Sequence, residues 1–127
     1  MYLLDTCAFI WLLKGSPNLS EKVKKCLAGY GKIYLSIVSL WEIAIKQTGR
    51  KINELKETSL ELENICLDYG IIILPLKTLY FERIKTLPLI HKDPFDRIIM
   101  ATAIEENLTL LTNDAKILKY EEVKTLW

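Results

Sequence analysis

The chain of 127 residues contains one histidine, three cysteines and no run of apolar residues long enough to cross a bilayer. Each shortage excludes a class. A spanning helix needs ~20 consecutive apolar residues, so no membrane association is expected. Cys7, Cys26 and Cys66 are odd in number and form no CxxC pair, which argues against a disulfide framework or a thiolate zinc site and for a reducing, cytoplasmic setting. A Ser/His/Asp or Cys/His site would have to use His91, which lies in a proline-bounded loop with no nucleophile elbow. No P-loop or GxGxxG string supports nucleotide-dependent chemistry. Seventeen basic residues offset sixteen acidic ones, so no global field advertises a nucleic-acid partner, and any such binding must come from local patches. The apolar start, MYLLDTCAFIWLL, lacks a basic leader and a small-residue cleavage site, and Asp5 interrupts it.

What remains is half hydrophobic and 26% charged, enough to bury a core within one domain spanning residues 1–127. A mean hydropathy of +0.17 leaves apolar surface to place, and a subunit interface is the natural destination. Short apolar runs alternate with helical patterns. Strands are expected at 2–4, 33–35, 71–74, 108–112 and 123–126. Helices are expected through Trp11 and Leu13 up to Gly15, then over 19–28, 36–48, 53–69, 78–85 and from Asp93-Pro94 to about Glu106. Strands alternating with helices imply right-handed crossovers and a parallel sheet covered on both faces, an α/β fold in three α/β/α layers. Chemistry in such sheets sits beyond the carboxyl ends of the strands.

A carboxylate stands at each of those places: Asp5 after the first strand, Glu42 in the helix after the second, Asp96 opening the helix before the fourth, and Asp114 after that strand. Each also has a purely architectural reading. Ser39-Leu40-Trp41-Glu42 matches a capping box, Asp93-Pro94-Phe95-Asp96 is a well-formed helix start with Asp93 as cap, and Asp114 can cap the turn containing Ile117. The surroundings favour chemistry for three of them. Glu42 is flanked by Val38, Leu40, Ile43 and Ile45, Asp96 shares a face with Ile99, Met100 and Ala103, and Asp5 sits in LLDTCAF. An unpaired carboxylate there would cost several kcal/mol or become protonated. A divalent cation held by several carboxylates is the simplest compensation, and hard oxygen ligands favour Mg²⁺ or Mn²⁺ over zinc.

The strings MYLLDTCAFIWLL, SLWEIAIK with Gly49 and Lys51 after it, LPLIHKDPFDRIIMATA, LTLLTND and VKTLW resemble, in order and over the whole chain, the PIN-domain ribonucleases of the VapC toxin type. The resemblance implies a metal-dependent endoribonuclease fold with a Mg²⁺ or Mn²⁺ site at Asp5, Glu42, Asp96 and Asp114. It implies Asp93, Thr6 and Thr112 as supporting positions beside those ligands. It also implies RNA products with 5′-phosphate and 3′-hydroxyl ends, a small cognate antitoxin, and a homodimer. One departure is Cys7, where relatives often carry His.

Flanking RNA phosphates would fall to Lys46, Arg50, Lys51, Lys92 or Arg97, with Arg97 the first choice, although Glu42 and Lys46 also stand at helical i, i+4 spacing. His91 is expected at the rim of the site, and Trp11 and Trp41 in the core rather than as stacking platforms. Cys7 and Cys66 read as small buried residues and Cys26 as a helix-face residue. The competing reading is a non-catalytic PIN-fold scaffold that binds RNA or protein without cutting. A degenerate scaffold would have lost an acid, and none is missing. A phosphoacceptor receiver would need an aspartate after the third strand, where Leu74-Pro75-Leu76 stands instead.

Overall fold

A computed structural model describes residues 1–127 as a five-stranded, wholly parallel sheet with six α-helices. The order along the chain is β1 (Tyr2–Leu4), α1 (Thr6–Lys14), α2 (Glu21–Ala28), β2 (Ile33–Ser36), α3 (Ile37–Thr48), α4 (Ser59–Asp68), β3 (Ile71–Leu74), α5 (Thr78–Thr86), α6 (Pro94–Glu105), β4 (Thr109–Leu111), a 3₁₀ turn (Ile117–Lys119) and β5 (Thr125–Leu126). No helix is long and apolar enough to cross a membrane.

The strands lie in the order β3-β2-β1-β4-β5. The chain steps outward from β1 to β3, then returns to build β4 and β5 on the other flank of β1. The strand order therefore reverses between β1 and β4, and a crevice opens at their carboxyl ends. Register places Leu3 level with Tyr34 and Leu110, and Leu4 level with Leu35 and Leu111. Because successive side chains point to opposite faces, these two rows feed two separate cores. Leu4, Leu35 and Leu111 pack with Phe9, Val23, Ile43 and Leu62. Leu3 and Leu110 pack with Ile99, Met100, Ile117 and Tyr120 on the other face. Both faces are covered at β1 and β2, which suits their apolar runs, while edge strand β3 leaves Ile72 exposed despite its own.

Helix ends follow local chemistry. Ser20, Ser36, Thr58 and Asp93 each cap a helix with a side-chain oxygen, and Gly15 closes α1 at φ +60°, a left-handed conformation that side chains rarely adopt. One expected helix is much shorter than the 53–69 pattern suggests. It begins at Ser59 because Thr58 caps it, while the preceding stretch is held extended: Leu55 is buried and Gln47 Nε2 donates to the carbonyls of Leu55 and Glu57, both at 2.9 Å. Tertiary contacts override helical spacing there.

Candidate active site

Asp5 follows β1 directly, and its backbone N–H donates to Leu111 O across the crevice. Its Oδ1 accepts from Ala8 N at 2.6 Å, so the carboxylate is the N-cap of α1 as well as a wall of the crevice. Thr112, buried after β4, lies beside the same carboxylate and accepts from Asp114 N at 3.1 Å. Burial pushes Asp5 up to about 6, the charges of Asp114 and Glu42 push the same way, and Thr112 and the Ala8 bond oppose them. Asp5 has no cationic partner among the ion pairs.

Glu42 is differently placed from what a capping box would give. Ser36 caps α3, so Glu42 lies well inside the helix and cannot reach the first-turn amides. It is buried, accepts from the Thr6 hydroxyl at 2.7 Å, and forms an ion pair with Lys46 one turn on. Ser39 Oγ lies 3.0 Å from the same hydroxyl. Burial pulls the Lys46 ammonium down, yet its bond to Glu42 and that group's charge outweigh the effect and raise it. Glu42 is thus already compensated by the protein, and Lys46 is committed to it.

On the opposite side, α6 starts as its sequence requires: Asp93 Oδ1 accepts from Asp96 N at 2.9 Å and Pro94 fills the first turn. Asp96 turns toward the crevice. Burial pushes it up to about 6, Asp93 and Glu42 add to that, and a hydrogen bond with His91 opposes it. Asp114 closes the turn that leads into the 3₁₀ segment, with Oδ1 accepting from the N–H groups of Lys116 and Ile117. Three donor atoms from His91, Asp96 and Asp114 lie within 4.8 Å of one another, a spacing that suits one cation.

The PIN domain family matches residues 2–123. The chain belongs to the PIN-domain family. Solved structures similar to this PIN domain include VapBC2 from Rickettsia felis bound to a promoter DNA fragment, with a TM-score of 0.70 at 20% identity over 98% of this chain and 96% of that one. DNA-bound VapBC from Salmonella typhimurium gives 0.70 at 17% identity over 98% and 96%. FitAcB from Neisseria gonorrhoeae gives 0.65 at 21% identity over 100% and 97%. No curated protein matches the sequence.

Several expectations for this PIN domain need correction. Arg97 is no phosphate contact: it is buried, and its guanidinium donates to the carbonyls of Pro88, His91, Ile84 and Leu87 at 2.9 to 3.1 Å and to the Tyr120 hydroxyl at 3.3 Å. A planar fork with five donors suits that cage of carbonyls, where a phosphate has no access. Arg50 and Lys92 are exposed, as is Lys51, and these are the free bases near the ends of α3 and α6. Trp41 is 57% exposed, edge-on to Phe95 with ring centroids 5.0 Å apart, in an apolar hollow with Leu76, Phe81 and Ile98. Cys7 is exposed rather than buried, since α1 turns Thr6, Ala8, Phe9 and Ile10 inward instead. Trp11 packs against Trp127, with centroids 5.5 Å apart.

Sequence reasoning underrated His91. It is buried, with Nε2 2.6 Å from Asp96 Oδ2 and 3.9 Å from Asp114 Oδ1. The available signal was its position five residues before Asp96, which lets a loop leading into a capped helix fold back on that helix's first turn.

Proposed function

We propose that this PIN domain is a metal-dependent endoribonuclease acting as the toxin of a toxin–antitoxin pair. One observation supports the reading: donor atoms of His91, Asp96 and Asp114 lie within 4.8 Å of one another beside the reversal of strand order, with buried Asp5 and Glu42 near enough for their charges to bear on Asp114 and Asp96. The chemistry of the donors suits a hard divalent cation, Mg²⁺ or Mn²⁺. Asp5 is buried with only neutral hydrogen-bond donors for company, and Asp96 has a neighbouring acid in Asp93, so both gain from positive charge.

In this reading Asp96 and Asp114 hold the cation, with Asp5 and Glu42 completing the site directly or through water. Bound there, the ion supplies a water acidic enough to attack at neutral pH and offsets charge on the phosphate under attack. The chain supplies the rest. The Thr6 hydroxyl holds Glu42 and the Ala8 N–H holds Asp5, so neither carboxylate can swing away. Asp93 holds the turn that aims Asp96. Exposed Lys92 and Arg50 are the groups available to hold flanking phosphates, while Lys46 balances Glu42.

The protein partners on this reading are a small antitoxin, in keeping with the VapBC and toxin-antitoxin complexes that share its fold, and a second copy of the chain. The test is incubation of the purified chain with structured RNA, with Mg²⁺ or Mn²⁺ and with EDTA, alongside Asp5→Asn. Cleavage that requires the ion and is lost in the variant is expected. Binding without cleavage in every metal would favour a non-catalytic scaffold.

A further inference from the structure

The loop between α5 and α6 is unusually well anchored for a connection without regular structure. Arg97 draws in the carbonyls of Leu87, Pro88 and His91, and Tyr120 accepts from His91 N at 2.8 Å and donates to Pro88 O at 2.6 Å. The product of that anchoring is one imidazole. His91 is 8% exposed, and its Nε2 faces Asp96 Oδ2 at 2.6 Å and Asp114 Oδ1 at 3.9 Å. We propose that His91 Nε2 is a nitrogen ligand of the cation, completing with Asp96 and Asp114 a mixed nitrogen and oxygen site that selects Mn²⁺ over Mg²⁺. The proposal rests on the acidic cluster being a divalent-cation site.

Three observations lead there. Donor atoms on opposite sides of an ion the size of Mg²⁺ lie ~4.2 Å apart. The three atoms here already fall within 4.8 Å, so a small adjustment, the His91–Asp96 pair opening from 2.6 Å and the wider pairs closing, seats an ion among them. The far nitrogen of the ring is the second observation. Nδ1 is buried and has no hydrogen-bond partner. Had a backbone N–H donated to it, the ring proton would be confined to Nε2, which could then only donate to Asp96. With no donor at Nδ1 the ring proton is not confined to Nε2, and an ion that takes the Nε2 lone pair moves it to Nδ1, where the unpaired buried N–H is a cost that the bond to the ion must exceed.

The third observation is the loop itself. A buried guanidinium with no carboxylate partner is an expensive way to hold a surface connection. The expense is intelligible if His91 must be held to the tolerance of a ligand. Imidazole also has a chemical consequence. Mg²⁺ prefers oxygen alone and gives up water reluctantly, whereas the first-row transition ions, of which Mn²⁺ is the one that also suits carboxylates, tolerate a nitrogen beside oxygen more readily.

Because His91 is the sole histidine, a tag-free protein gives an unambiguous spectrum. Mn²⁺ is titrated into the full chain, and electron spin-echo modulation of the bound ion is recorded with natural and with ¹⁵N-histidine-labelled protein. Imidazole ¹⁴N modulation that shifts to the ¹⁵N pattern on labelling is expected. Calorimetry with each metal is the second arm. Loss of even an outer partner of a metal ligand costs about 10- to 100-fold in affinity, so His91→Gln is expected to weaken Mn²⁺ by at least about tenfold. Its effect on Mg²⁺ should be much smaller. Mn²⁺ bound in an Asp96-dependent way without histidine coupling would overturn the ligand assignment and leave the nuclease reading standing. A chain that binds no Mn²⁺ at all would overturn both.

Discussion

Replacing Arg97 with methionine separates an architectural arginine from an RNA-binding one. Methionine approximates the length of the side chain and removes all five hydrogen bonds of the guanidinium. Two acceptors keep another donor: Pro88 O retains the Tyr120 hydroxyl, and Ile84 O retains Leu87 N. Leu87 O and His91 O lose theirs. A buried acceptor left unpaired costs about 1 to 3 kcal/mol, so two of them, less the relief of no longer burying a charge, come to about 3 kcal/mol. Unfolding entropy of about 2.1 cal/mol/K per residue converts this to a fall in Tm of about 10 °C for a chain of this length. Thermal unfolding followed by circular dichroism, with urea titration alongside, measures it. Cleavage at a temperature where the variant stays folded should fall as well, through the loosened His91 loop. A variant with wild-type Tm but weaker RNA binding and a shallower salt dependence would refute the assignment and restore Arg97 as a phosphate contact.

Asp5→Asn should abolish metal-dependent cleavage while keeping the fold, since asparagine caps a helix about as well as aspartate does; Asp5→Ala should also lose about 1 kcal/mol in urea titration. The metal-free protein should become less stable as pH rises from ~4 to ~6. The folded pKa of Asp5 is raised to about 6, so the native state holds the extra proton in that window, and losing it costs about 3 kcal/mol at neutral pH, with Asp96 acting in the same direction. Tm against pH without metal tests this, and a flat profile would count against it. Mg²⁺ or Mn²⁺ should raise Tm more at pH 7.5 than at pH 5. Lys46→Met leaves Glu42 buried without its cation, so the metal-free variant should melt below wild type, with a larger recovery when Mn²⁺ is added.

The alternation of strands and helices is written in apolar runs and glycine stops, so the sheet and the places of Asp5, Glu42, Asp96 and Asp114 were legible without coordinates. The extended stretch before α4 was not, because Gln47 holds it through carbonyl contacts that have no counterpart in local spacing. Glu42 could be located but its partners could not. The i, i+4 relation hinted at Lys46, while Thr6 approaches from another helix. Arg97 misled because its charge argued for solvent, and only the folded loop reveals four carbonyls pointing at one place. His91 was hidden for the converse reason: a single histidine in a proline-bounded loop offers no periodicity, and its burial depends on Arg97 and Tyr120.

The strand order has a temporal side. Tyr2 of β1 pairs with Ile33 on one flank and with Thr109 on the other. During synthesis the first flank can close as soon as β2 emerges, whereas the second must wait for β4, more than seventy residues later. Asp5 and Glu42 belong to the early half, and His91, Asp96 and Asp114 to the late one. An intermediate that stops short of β4 cannot hold both halves of the site. A chain with this order therefore brings the two flanks of its acidic crevice together only after the segment that carries Asp114 has been made.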